Sequence, residues 1–98
     1  MVRASETVEG RGRLYRSRRA RDRAAEALRA AALQRMLPRL GLGPDAEPTA
    51  VTLAIAQRIA ADPNALAHTL FGPPPDIDAD LVTLARQLDD IERQVALS

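Results

Sequence analysis

Near the end of the chain, Leu81, Leu84, Leu88, Ile91 and Val95 recur in steps of three, four, three and four. Side chains on a strand alternate between two faces, so this spacing makes one stripe only on an α-helix. Arg86, Asp89, Asp90 and Arg93 occupy the other side, and the helix must bury its apolar stripe against a partner. Asp78 is expected as its N-cap, with Asp80 in the first turn where the helix dipole favours acids. The stripe is a heptad seam of two repeats. That is short for an independent coiled coil, so packing within the chain is expected rather than a dimer seam or a groove-binding helix.

The same period recurs upstream. From about Arg13 to Leu40, Leu28, Ala32, Met36 and Leu40 repeat at i+4, widened by Ala25, Leu33 and Leu37. Pro38 conflicts with this run, because proline lacks the backbone donor and crowds the preceding turn. The first helix should kink near Leu37 or end there with a short extra turn, closed by Gly41. Pro48 then suits the first turn of a second helix, capped by Asp45 or Glu47, with Val51, Ala54, Ile55 and Ile59 inward. Asp62-Pro63 repeats the signal for a third, with Leu66, Leu70 and Phe71 inward and Gly72 at its end. Pro73-Pro74-Pro75 must be extended; a rigid spacer is expected in preference to a ligand for a proline-binding domain.

Composition agrees with helices. Of the apolar residues, 19 are Ala and 13 are Leu, whereas Val, Ile and aromatics are scarce. Alanine favours helices and permits close helix approach, and few β-branched residues remain for a sheet. The expected fold is all-α: a small bundle of three to four helices in one domain, with a long N-terminal helix. Residues 1–12, with Gly10 and Gly12, read as a flexible lead-in, residues 13–24 as a basic stalk and residues 25–98 as the packed body.

Most chemistry is excluded by absence. There is no Cys and no Lys, and His68 is the sole histidine. No thiolate, Walker-type phosphate loop, Schiff base or Cys/His zinc site can form. A serine triad would require Ser5, Ser17 or Ser98 to meet His68. His68 reads as a partly exposed helix residue rather than a pH switch. Asp76, Asp78 and Asp80 echo the start of a calcium loop, but Leu81 stands where that loop needs Gly and Gln87 where it needs Glu. They read instead as acids decorating a helix start. No catalytic residue, cofactor, metal or small-molecule substrate is expected.

Charge points to the feature that remains. Residues 1–40 carry 11 Arg against four acids, and residues 41–98 carry three Arg against nine acids. Such a split suggests a basic arm for an anionic surface joined to an acidic body. The candidates are Arg11, Arg13, Arg16, Arg18, Arg19, Arg21 and Arg23; on a helix, Arg16, Arg19 and Arg23 share a face. Lipid head groups attract such segments at about 1 kcal/mol per residue, and nucleic-acid phosphates attract them with steep salt dependence. Only Tyr15 could stack on a base within the run, so nucleic acid is the runner-up. The bland alternative is a solvated charge run. No apolar run reaches the roughly 20 residues of a membrane-spanning helix, and no signal-peptide core is seen.

Gly10-Arg11-Gly12-Arg13-Leu14-Tyr15-Arg16 and Asp22-Arg23-Ala24-Ala25-Glu26-Ala27-Leu28-Arg29 resemble the segment after the membrane helix in an uncharacterised family of bacterial membrane proteins. Leu40-Gly41-Leu42, the helix from Thr49, Gly72-Pro73-Pro74 and Leu81-Val82-Thr83-Leu84-Ala85-Arg86-Gln87-Leu88-Asp89 fit it as well. Pro38 departs from the family's uninterrupted helix. The family is common in actinobacteria, and its genes sit beside those for a MoxR-type AAA ATPase and a von Willebrand-like protein. The resemblance implies a C-terminal tail on the cytoplasmic side, held there by the arginines. Its body would bind a protein partner, either that ATPase or its von Willebrand-like neighbour.

Overall fold

The computed structural model describes the backbone of residues 3–98 and side chains from Gly10 onward. Helix α1 spans Arg3–Met36, α2 Pro48–Ile59, α3 Pro63–Phe71 and α4 Asp78–Leu97, with a 3₁₀ turn at Pro38–Leu40. The described residues contain no strand, as the period of the apolar residues requires.

Pro38 ends α1 rather than bending it. The chain tightens into the 3₁₀ turn, whose cap Gly41 takes a left-handed φ of 71° and donates its N–H to the Pro38 carbonyl. Pro48 opens α2 behind Glu47, which holds the N-cap position without a side-chain bond. Pro63 opens α3 behind Asp62, whose carboxylate accepts from the Asn64 N–H.

The seam of α4 closes inside the chain. Leu84, Leu88, Ile91 and Val95 are buried and Leu81 is half-buried, together with Ala25, Ala32, Met36, Val51, Ile55, Leu66 and Leu70. Thr52 is the buried polar residue among the described residues, and its hydroxyl donates back to the Pro48 carbonyl. The leading helix pair is α1 with α4, and its members run parallel. Arg21 meets Asp78 and Arg35 meets Glu92, each pair 57 positions apart in sequence. The connection through α2 and α3 therefore carries the chain back to Arg21, midway along α1. The alanines of α1 let the leucine stripe of α4 approach closely.

Helix α1 is described from Arg3, upstream of the start expected near Arg13, while Met1 and Val2 lie outside the described residues; two other expectations are corrected. Gly10 and Gly12 each cost a helix about 1 kcal/mol, a cost that continuation into a long helix can absorb. Phe71 is exposed, not inward: the helix ends there, and one residue past Leu70 the wheel has turned off the core. Ile77, not Asp78, holds the N-cap of α4, and Asp78 is the first helical residue, its carboxylate accepting from Arg21.

Candidate anionic-surface site

The arginine run lies on the central turns of α1, from Arg11 to Arg23. A helix of 34 residues is about 51 Å long at 1.5 Å per residue, more than twice the thickness of the body. The described molecule accordingly measures 61 × 23 × 19 Å with a radius of gyration of 17.2 Å, against about 13 Å for a compact domain of 100 residues. The early turns of α1 project past the end of α4 as a rod.

Sequence reasoning placed seven arginines together, and the structure divides them. Arg11, Arg13, Arg16, Arg18, Arg19 and Arg23 are exposed. Arg21 is drawn into the body. Its side chain is 14% exposed, and its guanidinium donates to the Pro75 carbonyl at 3.2 Å and to the Asp78 carboxylate at 3.2 Å. Arg21, within the expected stalk, thus contacts the α3–α4 link and the start of α4. Among the described residues, no ion pair engages the other six; Arg19 lies 3.5 Å from the Tyr15 hydroxyl.

Arg29 was not singled out by its sequence, yet it organises the α3–α4 link. Its Nε donates to the Thr69 carbonyl at 2.9 Å and one Nη to the Gly72 carbonyl at 2.8 Å. The other Nη reaches the carbonyls of Pro73 at 3.3 Å and His68 at 3.5 Å. These carbonyls include the open C-terminal end of α3, where a cation is favoured by both hydrogen bonding and the helix dipole. Burial pushes the Arg29 pKa below its ordinary value, an effect that favours deprotonation only under strongly alkaline conditions. The opposite sign holds at Arg35. Bidentate bonding to Glu92 at 2.7–3.0 Å raises its pKa, so the pair's contribution is present below the ordinary arginine value and lost above it. Both partners touch solvent, so salt screens that contribution. No signal in the local sequence separates Arg29 and Arg35 from their exposed neighbours; only the position of the core stripe could have suggested it.

The triproline behaves as a spacer. Its Pro73 and Pro75 carbonyls are taken by Arg29 and Arg21, which fixes the extended segment against α1. His68 is exposed and borders an open cleft with Arg29, Asp76, Asp80, Thr83 and Gln87. Among the described residues, no three His, Cys, Asp or Glu side chains group as metal ligands. Ser17 is exposed on the rod, and the Ser98 hydroxyl donates to the Val95 carbonyl while accepting from Arg58. Ser5 lies outside the residues whose side chains are described.

A closed leucine core with a projecting basic helix defines a small all-helical module. The chain is 67% identical over its 98 residues to the uncharacterised membrane protein Rv3691 of Mycobacterium tuberculosis, and spans 26% of that protein's length. No protein-family model and no solved structure matches it. No helix among the described residues is long and apolar enough to cross a membrane.

Proposed function

We propose that the chain is a non-catalytic helical module of a membrane-anchored protein, placed at the cytoplasmic face of the membrane. Its basic rod meets anionic lipid and its body binds a protein partner. The observation that carries this reading is the separation of the molecule into a closed core and an exposed arginine rod, in a chain whose relative is a membrane protein. Anionic leaflets attract such segments within about a Debye length. The likeness to the MoxR-associated family points to the partner: the neighbouring AAA ATPase or its von Willebrand-like companion.

Two measurements test it. Cysteine substitutions on the body of the full-length protein, in intact cells, should resist a membrane-impermeant thiol reagent and label after lysis; labelling in intact cells would refute the cytoplasmic placement. Crosslinking in the same membranes should recover the ATPase or its companion, and recovery of neither would remove the partner assignment. Nucleic acid is less well matched, because the rod offers only Tyr15 for stacking and the body adds acids that would repel a wrapped duplex.

A further inference from the structure

The six exposed arginines do not form an even coat. At about 100° per residue, Arg13, Arg16, Arg19 and Arg23 fall within an arc of about 120° on α1. Ala25, Ala32 and Met36, which α1 buries in the core, point about 180° away from the centre of that arc. Arg11 and Arg18 lie on the core side, where Arg18 borders a cleft with Pro74, Pro75 and Asp76. The structure therefore contains a basic stripe about 15 Å long on the back of the molecule, followed along the helix by Glu26. Further along the same back face stand the exposed Ala27, Ala30 and Gln34, which carry no charge. Helix α4, with Asp78, Asp80, Asp89, Asp90 and Glu92, packs on the opposite side of α1.

We infer that α1 lies lengthwise on an anionic lipid surface through Arg13, Arg16, Arg19 and Arg23, holding the acidic body away from the bilayer. This rests on the membrane-surface reading above and adds the face and the orientation. A helix is about 10 Å across with its side chains, and the Debye length near physiological salt is about 8 Å. Arginines on the far side of the rod are therefore screened from a plane that touches the stripe. An upright rod would instead use arginines on all sides alike. A planar surface also suits the segregation of charge, since it meets the stripe without approaching the acids.

The test is sedimentation of the 98-residue chain with vesicles of phosphatidylcholine containing about one-third phosphatidylglycerol, at near-physiological salt. Arg16→Gln with Arg23→Gln is compared with Arg11→Gln with Arg18→Gln, which removes equal charge from the other side. None of the four side chains makes an ion pair among the described residues, and circular dichroism checks that both variants keep their helix. Each basic residue at the surface contributes about five-fold in binding. The stripe pair should weaken binding about 25-fold and the other pair less than about three-fold. Equal weakening by the two pairs would overturn the orientation and leave the surface reading standing. Failure of the parent chain to bind, or equal binding to pure phosphatidylcholine, would overturn both. So would tighter retention of duplex DNA at the same salt.

Discussion

The guanidinium of Arg29 donates to the carbonyl of Gly72 across 2.8 Å, joining the last third of α1 to the residue that ends α3. The same fork holds Thr69 and Pro73, so one side chain closes a helix and anchors the extended segment that follows. Hydrogen bonds to a charged group contribute about 1.5–3 kcal/mol. Arg29→Met should lower unfolding free energy by about 2 kcal/mol, read from urea titration by circular dichroism. Arg29→Lys should recover less than half of that loss, because a point charge cannot reproduce the planar fork. Full rescue by lysine would show that charge alone matters.

Gly72 is required for space and not for backbone angle. Its φ is −74°, which any residue can adopt, but a Cβ there would lie 2.3 Å from the His68 carbonyl oxygen. Gly72→Ala should destabilise the protein by about 1–3 kcal/mol by displacing the last turn of α3. Gly43→Ala, where a Cβ would meet nothing within 4 Å, serves as the control and should be neutral to within about 0.5 kcal/mol. Equal effects at the two sites would contradict the crowding at Gly72.

Ala60 ends α2 with φ 53° and ψ 42°, in the left-handed region. A non-glycine residue there costs about 1 kcal/mol. Ala60→Gly should raise stability by about 0.5–1 kcal/mol, seen as a higher urea midpoint at unchanged slope. A lower midpoint would mean that this end of α2 does not hold the left-handed angle.

Ile55 and Leu53 sit two residues apart on α2 in opposite surroundings: Ile55 is 0% exposed and Leu53 48%. Ile55→Ala should cost about 2–5 kcal/mol through lost burial and the cavity left behind, while Leu53→Ala should cost under about 1 kcal/mol. Thermal unfolding of the two variants checks the ratio, and comparable losses would place Leu53 inside the core.

The elements were legible where a local rule acts alone. Proline at Pro48 and Pro63 marks helix starts, Asp62 caps, and the stripe from Leu84 to Val95 names its own buried face, whereas Pro38 allowed either a kink or an end and the structure chose the end. Reading failed where two rules compete. Phe71 is apolar but stands one step past the core face, and Asp78 is a good cap residue that stands one position inside the helix and meets an arginine 57 positions away. The arginine run was visible as composition, but its division was not. Arg21 and Arg16 have the same chemistry, and only the place where α4 begins decides that one is folded in and the other left out.

By itself, the sequence determined that this chain is helical, where its second and third helices start, which helix faces are apolar and that its positive charge gathers at one end. These follow from backbone sterics and periodicity, which act over a few residues. The tertiary structure alone decided that α1 and α4 pair in parallel at one constant offset. It also decided that Arg21, Arg29 and Arg35 hold the body together, and that Arg13, Arg16, Arg19 and Arg23 form a stripe facing away from it. Those outcomes depend on which apolar stripe closes on which, and the free energy of that closure belongs to the surfaces jointly and not to either segment.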